Sequence, residues 1–206
     1  MNSERLNKIV SLVDKNDTVL DVGCDHGYIS ILLKKNNLCK SVYASDISKN
    51  ALQFAVNNIK KNNLDIKCIV SDGFKNINEY FDTAIIAGMG ASTIINILNY
   101  NNLPNKLILC SNNDYEKLRR YLNKINYKLE KEIVVKENNH YYIIMEYHIG
   151  KEKLNDKVFK YGINYDKEYL NYLIEKNNSF INNLPFLKKL KIKKENRIIK
   201  DLIEKK

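Results

Sequence analysis

The feature that most constrains the fold is a regular alternation of short apolar runs with helical patterns through the first 150 residues. Each run is rich in β-branched or other apolar residues, which is typical of a strand. Most of the runs are separated by segments whose apolar residues recur at helical spacing. The seven strand candidates are residues 18–22, 41–44, 66–70, 83–87, 106–110, 133–135 and 141–147. Strands that alternate with helices are joined by crossovers, so the pattern predicts a mainly parallel sheet.

A helix is predicted before the first strand candidate, and a β-hairpin is predicted for the last two. Ser3 is a candidate N-terminal cap for an amphipathic helix over residues 3–15, and Ser48 and Ser92 precede two further helical patterns. Residues 136–140 join the last two strand candidates without a helix, so these strands should form a hairpin. The sequence therefore predicts an α/β fold in which a mainly parallel sheet of seven strands contains one antiparallel strand.

The segment after Gly150 differs from the rest in charge and in pattern. Residues 151–206 contain 15 Lys or Arg and 8 Asp or Glu, whereas residues 1–150 contain 19 and 16. Two apolar stripes at helical spacing predict two antiparallel helices joined near residues 182–185, and they disfavour the alternative of a disordered basic tail. The stripes are Tyr169, Leu170, Leu173, Ile174, Ile181 and Leu184, then Leu187, Leu190, Ile198, Ile199, Leu202 and Ile203. We expect domain boundaries at 1–150 and 151–206.

Charge and cysteine usage narrow the class of protein. The chain has a net charge of +10, which favours a polyanion as partner over the alternative of a dispersed, solvated basic surface. No apolar run approaches the roughly 18 residues that span a bilayer, so a membrane protein is not expected. The four cysteines form no C-x-x-C pair, and no signal-peptide pattern opens the chain. We therefore expect a reduced, cytoplasmic protein without a zinc site or disulfides.

The turn after the first strand carries the sharpest local signal. Residues 19–28 read Val-Leu-Asp-Val-Gly-Cys-Asp-His-Gly-Tyr, so a strand runs into a glycine-bearing turn and then a helix. The spacing is G-x-x-x-G, and Asp25 stands where a dinucleotide site needs its second glycine for the pyrophosphate. S-adenosylmethionine has no phosphate and carries a positive charge. Acidic residues in this turn therefore favour that cofactor over a nicotinamide dinucleotide.

Acidic residues also follow the second and third strands. Asp46 lies where a carboxylate can accept both ribose hydroxyls of an adenosine, by the logic of this sheet topology. Asp72, within Ser71-Asp72-Gly73, is placed to receive the adenine amino group. The carboxyl ends of such strands meet in one crevice, so these residues predict a joint S-adenosylmethionine site there.

Two motifs together carry a family resemblance. Asp21-x-Gly23-x-Asp25-His26 follows the first strand, and Ala87-Gly88-Met89-Gly90 ends the fourth; Arg5-Leu6, Leu118-Arg119 and Tyr142 also match. With these residues the chain resembles the bacterial tRNA adenine-N1 methyltransferases that act on adenine 22 of tRNA. The resemblance covers residues 4–148 in detail and the remaining segment in type only. The chain departs from the pattern at Ala91, where the family has another glycine, and at Cys110-Ser111, where it has Gln-Pro before Asn112.

The resemblance implies a Rossmann-like class I methyltransferase domain with a C-terminal helical hairpin that helps to hold tRNA. The expected cofactor-binding residues are Asp21, Gly23, Asp25, His26, Gly27, Asp46, Ile47, Asp72, Gly73, Ala87, Gly88, Met89 and Gly90. The expected catalytic residues are Asp25 and Asn112, near the amino group of the target adenine, and Tyr142, which could stack on a base. No metal and no obligate protein partner are expected. His140 and His148 are expected at the surface.

Two other functions remain open at this point. Exocyclic-amine methyltransferases of nucleic acids usually carry an Asn/Asp-Pro-Pro-aromatic segment after the fourth strand, and residues 87–90 contain no proline. A non-catalytic RNA-binding protein with the same fold would be expected to lose the cofactor acids. Asp21, Asp25, Asp46 and Asp72 are all present, which favours an enzyme.

Overall fold

A seven-stranded sheet forms the centre of the fold in a computed structural model that describes residues 3–100 and 102–204. The strand order is β3-β2-β1-β4-β5-β7-β6, and β7 is antiparallel to both of its neighbours while every other pairing is parallel. The strands are β1 (Thr18–Val22), β2 (Ser41–Asp46), β3 (Lys67–Val70), β4 (Thr83–Met89), β5 (Lys106–Ser111), β6 (Tyr127–Glu137) and β7 (His140–Ile149). The predicted α/β fold, with its single antiparallel strand, is confirmed.

The helices bury apolar residues against this sheet or against each other. They are α1 (Glu4–Val10), α2 (Tyr28–Lys35), α3 (Lys49–Lys61), α4 (Ala91–Ile97), α5 (Tyr115–Lys124), α6 (Asp156–Tyr161), α7 (Lys167–Ile181) and α8 (Phe186–Glu204). Helices α1, α2 and α3 pack Ile9, Leu33 and Ile59 against inward-facing strand residues such as Ile85 and Ile108 in one core cluster. Since successive strand residues point to opposite faces, their neighbours are buried on the other side of the sheet.

Side-chain caps fix two helix starts as the sequence predicts. The Ser3 hydroxyl accepts from Leu6 N, and the Ser48 hydroxyl accepts from Ala51 N. Helix α1 ends at Val10, five residues before the predicted end. The prediction for α4 was wrong at its cap, because Gly90 occupies the N-cap position and the Asn113 side chain accepts from the first helical N–H group.

Strand β6 is much longer than the predicted 133–135 segment. It runs through Tyr127–Glu137 because a register shift near Leu129 keeps its pairing with β7 across a charged stretch. Asn138 and Asn139 then form a two-residue turn in which both residues have positive φ angles, 50° and 62°. This is the geometry of a tight type I′ hairpin, which Asn tolerates. Because β6 is parallel to β1 and β4, Glu137 lies at the carboxyl edge of the sheet.

The described residues up to Lys160 form one compact unit, and those from Tyr161 form a second. This division falls ten residues after the predicted boundary at 150, because the buried Arg119 donates a 3.0 Å hydrogen bond to the Phe159 carbonyl. Arg119 also pairs with buried Glu132 at 2.7 Å. The segment that follows Gly150 is thereby tied to α5 of the first unit.

The second unit is the predicted αα-hairpin. Helices α7 and α8 pack against each other around Leu170, Ile199 and Leu202, with Tyr161 in the same small core. Asn196 accepts from Asn177 and donates to Asn178, which fixes the helix register. No helix within 3–100 or 102–204 is both long and apolar enough to cross a membrane.

Candidate active site

The turn between β1 and α2 is tied to β2 by its backbone. Gly23 has a φ of 70°, a left-handed conformation that favours glycine. In this conformation the N–H groups of Gly23 and Cys24 both donate to the Ser45 carbonyl, at 2.8 and 2.9 Å. The turn therefore leaves the end of β1 along a path set by the neighbouring strand.

Asp46 holds this turn from the end of β2. Its Oδ2 accepts from Asp25 N at 3.1 Å and its Oδ1 accepts from Ser48 N at 2.8 Å. The residue is only 8% exposed, yet it contacts the cavity at the strand ends. Each carboxylate oxygen keeps lone-pair capacity after these bonds, so Asp46 is oriented and can still accept from a diol.

Asp21 is buried below the turn. Its Oδ2 accepts from the backbone N and the hydroxyl of Ser30, at 3.2 and 2.7 Å, which joins β1 to α2. Burial raises the pKa of the Asp21 carboxyl from 3.8 to about 6, and the two hydrogen bonds from Ser30 oppose this rise. A cation placed nearby would favour the ionised carboxylate.

The end of β4 approaches the same turn. Gly88 has a φ of 81° at a register shift between Ala87 and Met89, so the strand bulges outward here. The Met89 side chain then lies directly over Gly23, where a Cβ would come within 1.9 Å of its Cε. Asn112 supports the bulge, because its backbone N donates to Met89 O and its side-chain Nδ2 donates to Gly88 O, both at 2.8 Å.

Two cavities open at this edge of the sheet and share Gly23, Asp46 and Met89. The larger has a volume of about 870 Å³ and the smaller about 420 Å³. The larger cavity is lined by predicted residues Asp21, Gly23, Asp25, His26, Asp46, Ala87, Gly88, Met89 and Tyr142. The smaller is lined by predicted residues Gly23, Asp46, Ile47, Asp72, Gly73 and Met89. Most of the predicted site residues are thus brought together.

Three predicted residues line neither cavity in the part of the chain that the structure describes: Gly27, Gly90 and Asn112. Gly27 is buried against α3, where an added Cβ would lie 3.1 Å from Ala55 Cβ, so it serves helix packing. Gly90 is the N-cap of α4. Asn112 Nδ2 donates to the Gly88 carbonyl, and the contact of the Asn112 side chain with a base stays a prediction.

We define two walls of the larger cavity. The motif wall consists of Gly23, Asp46, Gly88 and Met89. The outer wall consists of Ser3, Arg5, Glu137 and Tyr142, which come from α1 and its cap and from the ends of β6 and β7. Asp25 lies in the same cavity outside both sets, with a φ of 47° and a side chain that is 67% exposed.

The sequence prediction missed most of the outer wall. Arg5 was matched only as part of a motif, and neither Ser3 nor Glu137 was assigned to a site. An aromatic cluster at the rim was missed as well, in which the His26 ring lies 5.4 Å from that of Tyr28 and 5.5 Å from that of Phe54. The rings of this cluster come from the turn after β1, from α2 and from α3, and only the fold brings them together.

The histidines and tyrosines of the β6–β7 hairpin differ in their exposure. His140 is exposed, and His148 is partly exposed and lies 2.9 Å from Glu146. Tyr147 is fully buried in the core. Its burial raises the pKa of the phenol above its ordinary value. Tyr142 is half-buried at the cavity and carries the Arg5 guanidinium 4.7 Å above its ring.

Comparison with known proteins agrees with this geometry. A family model described as a methyltransferase domain matches residues 2–145, which include both walls. The chain belongs to this methyltransferase family. The resemblance to the tRNA adenine-N1 methyltransferases is confirmed by the individual relatives.

Three of these relatives span most or all of the chain. A Mycoplasma genitalium protein provisionally named a tRNA methyltransferase is 34% identical over 148 residues, 69% of this chain and 67% of its own. The structure of M. capricolum TrmK with S-adenosyl-homocysteine is 29% identical, with a TM-score of 0.86 over 99% of this chain and 98% of that one. A Streptococcus pneumoniae structure with S-adenosyl-L-methionine, provisionally described as a tRNA (m1A22) methyltransferase, is 27% identical, with a TM-score of 0.84 over 98% and 100%.

The acceptor groups and apolar surface of the two cavities fit S-adenosylmethionine. Asp46 has free acceptor capacity for a ribose diol, and Asp72 and the 65% exposed Ile47 offer a polar acceptor and an apolar surface in the smaller cavity. Four carboxylates and one guanidinium line the larger cavity among the described residues, which favours a cationic ligand. Asp25 would repel a pyrophosphate at the position that a dinucleotide needs.

Proposed function

We propose that this chain transfers the methyl group of S-adenosylmethionine to N1 of the adenine at position 22 of tRNA. The observation that carries the proposal is the shared cavity, in which the cofactor motifs face the half-buried Tyr142 and Arg5 across a space of about 870 Å³. The space is large enough for part of a cofactor and a flipped base. The relatives that match the chain over nearly its whole length bind this cofactor or its product.

The motif wall and the smaller cavity would together bind the cofactor. Asp46 would accept the ribose hydroxyls, and Asp72 with Ile47 would hold the adenine ring of the cofactor in the smaller cavity. Gly23 lets the backbone approach the bound molecule without a side chain in between. The Met89 side chain fills the space above Gly23, so it must rotate or slide when that space is taken.

The reaction depends mainly on how the methyl group and adenine N1 are positioned. Bound S-adenosylmethionine supplies a methyl group on a sulfonium, and N1 of adenine is unprotonated near neutral pH with its lone pair in the base plane. A general base is therefore not required, and in-line placement can lower the barrier by about 7–11 kcal/mol in favourable systems. N1 is normally engaged in pairing, so the base must be flipped into the cavity. Asp25 would stabilise the positive charge that develops on the ring.

The second unit would hold the tRNA through its phosphates. Residues 161–206 carry 11 Lys or Arg against 6 Asp or Glu, and α8 carries seven of the basic residues. Phosphate neutralisation by such side chains gives affinity without sequence recognition. A tRNA substrate also agrees with action in the cytoplasm.

The test is methyl transfer to defined transcripts. Unmodified tRNA with adenine or guanine at position 22 is incubated with S-adenosylmethionine that carries a labelled methyl group, and the digested nucleosides are separated. The proposal expects label in 1-methyladenosine from the adenine transcript only. Label in N6-methyladenosine would establish an exocyclic-amine methyltransferase instead, and cofactor binding without any transfer would favour a non-catalytic RNA-binding protein.

A further inference from the structure

Glu137 is an acidic residue that lines the larger cavity and lies outside the cofactor motifs. It is the last residue of β6, which runs parallel to β1 and β4, so it lies at the edge of the sheet where those strands end. The tight Asn138-Asn139 turn holds it there. Glu137 belongs to the outer wall of the larger cavity and does not line the smaller one.

The Glu137 carboxylate is held on one side and open on the other. Its Oε1 accepts a 2.8 Å hydrogen bond from the Ser3 hydroxyl, which joins the end of β6 to the start of α1. Its Oε2 lies 3.7 Å from Arg5 Nε, an ion pair that is too long for a hydrogen bond. Within residues 3–100 and 102–204 no donor is bonded to Oε2, and the side chain is 22% exposed.

Arg5 places a positive charge near the Glu137 carboxylate without forming a hydrogen bond to it. The guanidinium lies 4.7 Å over the Tyr142 ring, a cation–π contact that holds it against the cavity wall. Arg5 Nε is buried and has no hydrogen-bond partner among the described residues. The outer wall therefore presents a fixed aromatic ring, a cation and one uncommitted carboxylate oxygen.

An uncommitted carboxylate oxygen matches the exocyclic amine of adenine. Adenine presents an N6–H donor, whereas guanine presents an O6 acceptor at the same place. A carboxylate accepts from the first and repels the second. Building on the proposed function, we propose that Glu137 accepts a hydrogen bond from the exocyclic amine of the target adenine and so selects adenine over guanine.

The assignment also suits the product. Methylation at N1 leaves a positive charge shared over the ring and the amine, so the hydrogen bond to Glu137 gains charge assistance as the reaction proceeds. Ser3 and Arg5 act through Glu137 and are positioning residues. Asp25 keeps its separate role as a nearby charge, because its exposed side chain lies at the turn after β1.

A double-mutant cycle, in which one change is made in the protein and the other in the tRNA, isolates the contact between Glu137 and the amine. Wild-type protein and Glu137→Ala are each given tRNA with adenine, or with purine that lacks the amine, at position 22, and single-turnover rates are measured with saturating S-adenosylmethionine. Purine has a less basic N1, but this chemical effect is common to both proteins and cancels. Glu130→Ala is the matched control, because Glu130 is exposed on the same strand and pairs with Lys128.

We expect Glu137→Ala to slow methylation of the adenine transcript by about 10- to 100-fold, the effect of losing a charged hydrogen-bond partner. On the purine transcript, Glu137→Ala and wild type should differ by less than about 3-fold. Glu137→Gln keeps a neutral acceptor and should give an intermediate rate. Glu130→Ala should behave as wild type with both transcripts.

A structural role for Glu137 predicts a different result. If Glu137→Ala slows both transcripts by the same factor, Glu137 does not contact the amine and the proposal is overturned. If Glu137→Ala fails to bind S-adenosyl-homocysteine or to melt cooperatively, the same cycle is run with Glu137→Gln and the same criterion applies. Wild-type transfer to adenine 22 is measured first, so a failure of the proposed function is seen separately.

Discussion

The motif wall and the outer wall of the cavity are built in different ways. The motif wall comes from the carboxyl ends of β2 and β4 and from the turn after β1, and hydrogen bonds from backbone N–H groups to Ser45 and Asp46 fix that turn at Gly23. The outer wall depends on side chains that meet across the chain, since Ser3 and Glu137 are 134 residues apart. A short motif can therefore encode a cofactor site, whereas the surface that faces the substrate requires the complete fold.

This difference predicts separable functions. Changes in the motif wall should alter the affinity for S-adenosylmethionine, and changes in the outer wall should alter the rate at saturating cofactor. Asp25 lies between the two and can be assigned by experiment.

Asp25→Asn should lower the single-turnover rate by about 10²- to 10³-fold, the loss seen when an electrostatic partner of a transition state is removed. Binding of S-adenosylmethionine should remain close to that of the parent, because the backbone N of Asp25 still donates to Asp46. Single-turnover kinetics and calorimetry measure the two quantities. A variant that loses cofactor affinity and keeps its rate would place Asp25 in the motif wall.

Asp46→Ala should weaken S-adenosylmethionine binding by about 10- to 150-fold, because the ribose hydroxyls lose a charged acceptor. Asp46 also accepts from Ser48 N and Asp25 N, so Asp46→Asn serves as the milder variant that keeps an acceptor. Asp65→Ala is the control, as Asp65 is exposed before β3. Calorimetry that finds equal affinity for Asp46→Ala and the parent would contradict the ribose assignment.

Removal of residues 161–206 should reduce tRNA affinity by at least about 10-fold at low salt and make its dependence on salt shallower, since fewer counterions are released. The chain is best ended after Lys160, because Arg119 is bonded to the Phe159 carbonyl. Binding of S-adenosyl-homocysteine is the control for a folded first unit. An unchanged salt slope in the shortened protein would show that the helical hairpin has another role.

The pH dependence of cofactor binding should reveal the ionisation of the Asp21 carboxyl. Its pKa is raised to about 6 in the free protein, and a bound cation favours the ionised form, so binding should release a proton. Affinity should therefore rise by about 3- to 10-fold between pH 5 and pH 7.5. Calorimetry with Asp21→Asn is the comparison. A dependence that persists in Asp21→Asn would belong to another group.

The same carboxyl should influence folding stability in the opposite direction. A raised pKa means that the folded state binds the proton more tightly than the unfolded state does. The contribution of Asp21 to the free energy of unfolding is therefore fully present below about pH 4 and is lost as the pH rises to about 6. The rise in the pKa of Asp21 from 3.8 to about 6 corresponds to about 3 kcal/mol in the free energy of unfolding. Denaturant unfolding of the parent and of Asp21→Asn at both pH values tests this sign.

The strands and the motif wall could be predicted because their signals are local. Short apolar runs separated by helical patterns located all seven strands, and one crossover places Gly23 and Asp46 at the ends of neighbouring strands. Strand β6 was predicted too short, since charged residues such as Glu130 and Lys131 interrupt its apolar pattern. The buried Glu132 breaks the pattern further, and its partner Arg119 lies in a different element.

The outer wall could not be predicted from local pattern. Glu137 follows a charged stretch and resembles an ordinary surface residue in the sequence. Its position in the cavity depends on the direction of β6, the length of that strand and the approach of α1. The contact of Asn112 with the target base stays a prediction, and its support of the β4 bulge through a hydrogen bond to the Gly88 carbonyl was visible only in the fold.

The most direct test of the two-wall account measures two quantities on two variants. The dissociation constant for S-adenosyl-homocysteine and the single-turnover rate with saturating S-adenosylmethionine are determined for Asp46→Asn and Glu137→Gln on the same adenine-22 transcript. The account predicts that Asp46→Asn loses affinity and keeps its rate within about 3-fold, while Glu137→Gln keeps affinity and loses rate. Parallel losses of affinity and rate in both variants would contradict it, because the two walls would then act as one site.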